Sequence, residues 1–523
     1  GVQTCALPIS LNIDQKIQLL KPHAKLLSGN LMGIEKEGLR VSRKGGLSQA
    51  PHPSALGCAL THPNITTDFS ESLLELVTPP LPTAQSVLNF LKDTQHYLYC
   101  RLPKDQSFWP ASMPCVIRGK TYIPIAQYGS SNRGKMKTVY RQGLANRYGS
   151  VMQVIAGIHF NYSFADKFIQ KYCELSEKDQ NKDEAYMAMT RNVVRYGWIV
   201  PYLFGASPAV CKSFLKGYHQ HSLVEFNDST LYEPYATSLR MGDIGYQNLR
   251  EDEAGVKANY NSLSHYVHSL KLGMTTPCSD YEKFEVKVNS EYQQLNANTL
   301  QIENEYYASV RPKPLLEPGR KPLDSLSDKG IAYIELRSLD INPALSMGID
   351  EQQIHFLEVF LLFCLLKDSP AISTREQFEI DNNDQLVAHE GRRPDLLLKH
   401  QTKEISIAKL GAQISADLAS CATLFGASYV QEVGAIVKRF DDPELTPSAQ
   451  VLSKMKEQGQ GFFDHINTYA KQYRQDFLSN EVNQMHFDYL DEQARASCKQ
   501  QREIEDSDTM SFDQYLAQYF NQV

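Results

Sequence analysis

The 523-residue sequence lacks a long apolar run, and its longest uninterrupted one extends only from Val359 to Leu366. A membrane-spanning helix requires about 20 predominantly apolar residues, so we predict a buried core helix here and no membrane partner. Positive charge is not in excess either, because 53 Lys and Arg stand against 60 Asp and Glu, for a net charge of −7. We therefore expect no nucleic-acid partner, and an anionic substrate would need local Arg residues or metal ions.

The ten cysteines are scattered, with no CxxC pair and no zinc-type spacing. This usage predicts free thiols in a reducing compartment and hence a cytoplasmic protein. Residues 1–10 show no initiator Met, no basic n-region and no long apolar h-region, so we expect no signal peptide there. We interpret these ten residues as a non-native or truncated N-terminus.

Two common sequence signatures are also missing, since the sequence contains neither GxGxxG nor HExxH. The segment from Gly129 to Met136 matches GxxxxGK, but Met136 stands where a phosphate loop needs Ser or Thr to bind magnesium. His389-Glu390 is followed by Arg393, where a zinc motif needs its second His. We predict that the first segment is not a phosphate loop and that the second is not a zinc motif.

Carboxylates instead recur on strand-like segments. In GIEKEGLR, residues 33–40, a period of two directs Glu35 and Glu37 to the same face of a strand. In the segment 65–78, Glu71 and Glu75 share a face in a strand or a helix, because a separation of four satisfies both periods. Taken alone, the first pair is typical of the solvent-facing side of an edge strand.

Three further segments, 151–163, 297–311 and 331–341, are predicted as strands with polar residues on one face. Those residues are Gln153, His159 and Asn161 in the first, Glu303, Glu305 and Tyr307 in the second, and Glu335 and Arg337 in the third. A satisfied core histidine or a buried salt bridge explains any one of them. Five such segments together favour a sheet with a polar, metal-lined face, because Mg²⁺ prefers oxygen ligands and bridges carboxylates to nucleotide phosphates. The predicted partner is ATP.

These segments, in this order, closely resemble the single-chain bacterial glutamate–cysteine ligases. The resemblance runs from about Gly33 to Ile349, and weakly beyond, through words such as ITTDFSESLLELVTP, YGWIVPYLFGASPAVC, YATSLRMGDIGY, LQIENEYYASVRPK and YIELRSLDINP. It implies an α+β fold akin to glutamine synthetase and the guanidino kinases, in which a curved antiparallel β-sheet forms a funnel surrounded by helices. We expect residues 11–369 to be the catalytic body and the mainly helical residues 370–523 to pack on it.

The resemblance also implies roles for individual residues. Mg²⁺ ions, for which Mn²⁺ can substitute, would be held by Glu35, Glu37, Glu75, His159 and Glu335. Arg337 would meet the phosphates and act with Glu335 in catalysis. The substrate glutamate would contact Gln153 and Arg240, and the substrate cysteine would be surrounded by Phe69, Tyr140, Arg141, Tyr246 and Tyr307.

The implied activity is the ATP-dependent ligation of the L-glutamate γ-carboxylate to the L-cysteine amino group through γ-glutamyl phosphate. This is the first step of glutathione biosynthesis, with glutathione itself a candidate feedback inhibitor. A related carboxylate–amine ligase with a different amine acceptor would carry the same metal and phosphate residues, so only the cysteine pocket distinguishes it. A non-catalytic nucleotide-binding protein is the other alternative, although it would not need every carboxylate together with His159 and Arg337.

Overall fold

The computed structural model describes residues 11–117, 122–176, 180–216, 221–245, 257–317 and 319–521. Its strands are β1 (Leu31–Ser42), β2 (Ile65–Thr67), β3 (Leu73–Val77), β4 (Gln106–Phe108), β5 (Ile158–Ser163), β6 (Ala209–Cys211), β7 (Val224–Asn227), β8 (Thr230–Tyr232), β9 (Lys287–Val288), β10 (Glu291–Tyr292), β11 (Val310–Lys313), β12 (Tyr333–Leu339), β13 (Leu397–His400) and β14 (Lys403–Ser406).

The principal sheet has seven strands, six of them in the order β11-β12-β5-β1-β3-β2, with β4 paired to the end of β1. All of these pairs are antiparallel. The β6–β8, β9–β10 and β13–β14 strands form small separate sheets. Helices combined with an antiparallel sheet define the α+β class, which confirms the predicted fold class.

The helices pack around this sheet and continue to the end of the described chain. They are α1 (Ile13–Leu20), α2 (Ala84–Arg101), α3 (Asn132–Tyr148), α4 (Asp166–Leu175), α5 (Lys182–Tyr196), α6 (Ile199–Phe204), α7 (Leu263–Thr275), α8 (Ser279–Glu282), α9 (Pro322–Lys329), α10 (Glu351–Leu366), α11 (Thr374–Glu390), α12 (Ile407–Ala422), α13 (Ala427–Ile436), α14 (Pro447–Gln458), α15 (Phe462–Ser479), α16 (Gln484–Ser507) and α17 (Phe512–Asn521).

The apolar run at 359–366 lies in α10, and these residues are at most 1% exposed, which confirms the predicted core helix. In the described part of the chain, no helix combines the length and apolar character needed to cross a membrane. Strand β1 alternates in the expected way, so Lys36 lies on the opposite face from Glu35 and Glu37. The Lys36 amine donates to Gln95 and to the Ser346 carbonyl, and burial lowers its pKa to about 7.

Two predicted strands are only partly strands. In 151–163 the strand begins at Ile158, and Gln153 lies in a single 3₁₀ turn, Met152–Val154. In 297–311 the strand begins at Val310, and a 3₁₀ turn covers Glu303–Glu305. Asn296 explains the second difference, because its side chain bonds the backbone of Asn298 and Gln301 and so competes with strand pairing.

The expectation that all cysteines are free is wrong in the structure. Cys58, beside β2, is joined to Cys498 in α16 by a disulfide bond, although the two lie 440 residues apart in sequence. Scattered cysteines can meet only through tertiary packing, so their spacing carries no signal for this pair. The other described cysteines are free.

Candidate active site

A cavity of about 340 Å³ lies over the polar face of the principal sheet. Strands β1, β2, β3, β5, β11 and β12 form its floor, and α3 and the segment 302–307 contribute to its walls. The predicted site residues that line it are Glu35, Glu37, Phe69, Glu75, Tyr140, Arg141, Gln153, His159, Arg240, Tyr307, Glu335 and Arg337. Tyr246 lies outside the described residues.

Strand register brings the acidic residues together. Glu37 is paired with Glu75 across β1 and β3, and Glu35 is paired with His159 across β1 and β5. Glu335 on β12 faces Asn161 on β5. Like charges directly opposite each other destabilise a sheet, so this arrangement requires compensating positive charge.

His159 lies at the centre of the acidic cluster. Its Nδ1 is 3.0 Å from a Glu35 carboxylate oxygen and 3.9 Å from Glu335, and its Nε2 is 3.7 Å from Glu37. One ligand atom from each of Glu35, His159 and Glu335 lies within 4.8 Å of the others. Among the described residues, Glu335 Oε2 accepts no hydrogen bond. This donor set, two carboxylates and an imidazole, fits a divalent cation.

The carboxyl groups have different electrostatic surroundings. Burial, together with the charges of Glu35, Asp68 and Glu37, raises the pKa of Glu75 well above its usual 4.5. Burial also raises the pKa of Glu37, against the opposing effect of His159. Burial opposes ionisation of Glu35 too, but its hydrogen bond with His159 leaves the Glu35 pKa below the usual value.

Three cationic side chains surround Glu335. Arg337 lies 3.3 Å, Lys313 3.5 Å and Arg311 4.0 Å from its carboxylate oxygens. Burial of Glu335 opposes ionisation, but these charges, led by Lys313, hold its pKa well below 4.5. Arg311 and Lys313 were not among the site residues predicted from the sequence. Their spacing of two does indicate a shared face of β11, but the pairing of Arg311 with Glu335 depends on which strand lies beside β12.

Arg240 reaches the cavity from outside the sheet. Its Nη2 donates to the Arg337 carbonyl over 2.8 Å, and its Nη1 lies 3.9 Å from Asp340. The guanidinium packs so closely on Gly157 that a Cβ there would lie 2.2 Å from Nη2. Arg240 and Gln153 are both buried.

Helix α3 supplies the wall opposite the acidic strands. Arg141 donates through Nε to the Asp68 carbonyl, and Lys137, one turn earlier, also lines the cavity. The Tyr307 hydroxyl donates to Met241 Sδ over 3.5 Å, and Phe69 is 1% exposed. Aromatic rings and cations therefore face the acidic cluster across the cavity.

Some polar residues singled out in the sequence are used elsewhere. Glu71 lies in the turn between β2 and β3, where its carboxylate accepts from the backbone N–H groups of His52 and Gln127, so it does not share a face with Glu75. Glu305 forms a fully buried ion pair with Arg147 at 2.8 Å. Glu303 accepts from the Leu323 N–H over 3.3 Å. The strand face predicted for Glu303, Glu305 and Tyr307 is therefore wrong.

The GxxxxGK segment does not form a phosphate loop. Its second half is the first turn of α3, capped by Ser131, and Met136 packs with Leu295 and Leu516. The backbone N–H groups of Ser130 and Asn132 already donate to the carboxylates of Glu505 and Asp508. Those negative charges would repel a phosphate.

Comparison with known proteins decides the family. The family model described as glutamate-cysteine ligase matches residues 17–387. A glutamate–cysteine ligase of Alcanivorax borkumensis is 42% identical, with 98% of this chain and 99% of the relative aligned. One of Pseudomonas putida KT2440 is also 42% identical, over 97% of this chain and 98% of the relative. The chain belongs to the glutamate–cysteine ligase family.

Solved structures agree with the sequence comparison. The crystal structure of the Francisella tularensis glutamate–cysteine ligase in complex with AMP superposes with a TM-score of 0.90, at 33% identity, and covers 94% of this chain and 98% of that one. A bifunctional glutathione synthetase from Pasteurella multocida superposes with a TM-score of 0.69 at 25% identity, covering 88% of this chain and 54% of that one. The resemblance stated from the sequence motifs is thus confirmed, and this glutamate–cysteine ligase family member is an enzyme.

We expect Glu75→Gln to stabilise the metal-free protein at neutral pH, because burial and the neighbouring carboxylates penalise the ionised form of Glu75 in the folded state. A raised carboxyl pKa penalises folding only above the unfolded value of 4.5, so the gain should vanish near pH 4 and grow as pH rises. Urea unfolding in EDTA at several pH values measures it. The exposed Glu481→Gln is the control. A loss of stability in Glu75→Gln, or a gain independent of pH, would contradict the repulsion described for this cluster.

Proposed function

We propose that the enzyme joins the γ-carboxylate of L-glutamate to the amino group of L-cysteine, with ATP as the source of energy. The observation that carries this proposal is the cavity over the polar face of the sheet, in which buried carboxylates and His159 face Arg337, Lys313 and Arg311. Such a cavity suits a reaction in which a triphosphate and a carboxylate must approach each other. Family membership favours cysteine as the amine over another acceptor.

Divalent cations are part of the proposal. Glu35, His159 and Glu335 would hold one ion, as their clustered ligand atoms allow, and Glu37 and Glu75 would contribute to a second. Mg²⁺ is the ion expected beside ATP, and Mn²⁺ can take oxygen and imidazole ligands in its place. Bound ions would neutralise charge between the triphosphate and the γ-carboxylate.

The protein's own cations would act on the phosphoryl group. A γ-carboxylate oxygen attacks the γ-phosphorus of ATP, and the bond to the β-phosphate oxygen breaks to release ADP. The cysteine amine then attacks the carbonyl carbon of γ-glutamyl phosphate, loses a proton and displaces inorganic phosphate. Arg337, with Lys313 and Arg311 nearby, would stabilise the equatorial oxygens during transfer.

The two amino-acid substrates would contact different residues of the cavity. Gln153 and Arg240, buried near β5 and β12, would bind glutamate. Phe69, Tyr140, Arg141 and Tyr307, with Tyr246 beyond the described part, would surround cysteine. Glutathione carries both the γ-glutamyl and the cysteinyl groups, so we propose that it competes for this same cavity as a feedback inhibitor.

Three broader proposals accompany the reaction. The antiparallel sheet would be the curved funnel of the glutamine synthetase and guanidino kinase type, with substrates at its polar face. Residues 11–369 would be the catalytic body, and residues 370–523 a region packed on it. The enzyme would act in the cytoplasm, where ATP is supplied, and a reducing environment there would open the Cys58–Cys498 bond.

The isotope test of the proposed reaction uses glutamate labelled with ¹⁸O in its γ-carboxylate. We expect one ¹⁸O atom in the inorganic phosphate and γ-glutamylcysteine as the product by mass, because a carboxylate oxygen bridges to phosphorus in the intermediate. Supplying other amines in turn, with ADP formation as the readout, tests the alternative ligase. A product formed faster from another amine, or unlabelled phosphate, would overturn the proposal.

We expect Tyr307→Phe to raise the KM for cysteine about fivefold to a hundredfold, since losing a buried hydroxyl partner costs roughly 1 to 3 kcal/mol. The KM values for ATP and glutamate should change little, because those substrates bind at the metal-lined part of the cavity. The control is Tyr266→Phe, a buried tyrosine on α7 that does not line the cavity. Equal weakening of all three substrates would point to general destabilisation, and unchanged cysteine kinetics would place the amine elsewhere.

A further inference from the structure

One histidine outside the cavity binds both ends of the segment that carries Arg240. We call residues 233–243 the Arg240 loop. His389, in the last turn of α11, places Nδ1 2.7 Å from the Glu233 carboxylate at the start of this loop. Its Nε2 lies 3.1 Å from the Asp243 carboxylate at the end of the loop. A single imidazole therefore fixes the separation of the two ends.

The backbone of the loop is attached to the same helix end. Thr237 and Ser238 donate their N–H groups to the Ala388 carbonyl over 2.9 and 3.2 Å. The Thr237 hydroxyl donates to the Val387 carbonyl over 2.7 Å. These bonds hold the middle of the loop, but they lie before Arg240 in sequence. Beyond Arg240, His389 contacts Gly242 and Asp243.

The histidine is in close contact with the residues that place Arg240. Its ring packs directly on Gly242, where a Cβ would lie 2.3 Å from Nε2. The preceding Met241 sulfur accepts from Arg240 Nη1 over 3.3 Å and from the Tyr307 hydroxyl over 3.5 Å. A shift of the chain at Gly242 would thus move both the arginine and a wall of the cavity.

The two neighbouring carboxylates favour the charged form of the His389 ring. Burial lowers its pKa, but the hydrogen bonds and charges of Asp243 and Glu233 outweigh burial and raise it to about 9. Nδ1 faces the Glu233 carboxylate, and Nε2 is approached by both the carboxylate and the backbone N–H of Asp243, each over 3.1 Å. Because the two nitrogens lie on opposite sides of a rigid ring, no flexible side chain reproduces their spacing.

We propose that His389 is a positioning residue for the ligation reaction, which orients Arg240 toward glutamate by clamping Glu233 and Asp243. The assignment rests on the proposed function in taking Arg240 as a glutamate contact. His389 itself touches no residue of the acidic cluster through any hydrogen bond or ion pair described here. Its effect would therefore reach the substrate only through the loop.

The test compares His389→Ala and Asp243→Asn with the wild type. We expect the KM for glutamate to rise about tenfold in the first and about threefold in the second, with the KM for ATP nearly unchanged. The Asp243 side chain is largely exposed, so its variant keeps the fold and removes the charge at one end of the clamp, while the backbone contact of residue 243 with Nε2 remains. The double variant should be no worse than His389→Ala alone, because both changes break the same interaction.

The matched control is His355→Ala. His355 makes an equally short contact with a carboxylate, 2.6 Å to Glu432, but at a site remote from the Arg240 loop. It should lower thermal stability without raising the KM for glutamate. An unchanged glutamate KM in both loop variants, or an equal rise in His355→Ala, would overturn the assignment.

Calorimetric titration of glutamate into the same proteins separates this proposal from the proposed function. Weaker glutamate binding in the two loop variants supports the clamp whether or not cysteine proves to be the amine. Wild-type-like binding in both variants rejects it, even if the wild type makes γ-glutamylcysteine.

Discussion

The structure depends on a cluster of buried carboxylates that repel each other. Register in one antiparallel sheet sets Glu37 against Glu75 and brings Glu35, His159 and Glu335 within reach of one ion. Two like charges about 4 Å apart cost about 4 kcal/mol at an effective dielectric constant of 20. The protein's own cations are concentrated at the Glu335 end, whereas burial and the neighbouring carboxylates raise the pKa of Glu75. Divalent cations beside a triphosphate are the natural complement of such a surface.

The rest of the molecule holds this surface in place. Helix α2 packs on β1 and β3, α5 packs on β11 and α6 packs on β12, while the buried helix α10 packs on α2 and α5 in turn, so the strands that carry the carboxylates rest on a close-packed layer of helices. On the other side, α3 and the Arg240 loop close the cavity. Gly157 allows the Arg240 guanidinium to lie against β5, since any larger residue would displace it. Most residues proposed to contact the amino-acid substrates therefore lie on loops and helices, whereas the clustered carboxylates lie on strands.

Much of the candidate site could be predicted because strand periodicity is local. Glu35 with Glu37, and Glu335 with Arg337, share faces as the period of two requires. Glu71 and Glu305 were misplaced because their segments turn where side chains bond the backbone, a competition that periodicity does not reveal. Predicting that Arg311 and Lys313 belong to the site would have required knowing which strand pairs with β12. The Cys58–Cys498 bond and the contacts of His389 with the Arg240 loop form only through tertiary packing. Sequence spacing therefore could not predict either of them.

The most direct test of the acidic cluster as a cation site is Mn²⁺ binding measured by electron paramagnetic resonance. Wild-type protein, with and without a non-hydrolysable ATP analogue, would be titrated beside Glu35→Gln, Glu335→Gln and the exposed control Glu481→Gln. Removing one ligand of a clustered site should weaken Mn²⁺ binding at least about tenfold in the first two variants and leave the control unchanged. Wild-type affinity and stoichiometry in Glu35→Gln and Glu335→Gln would contradict the account.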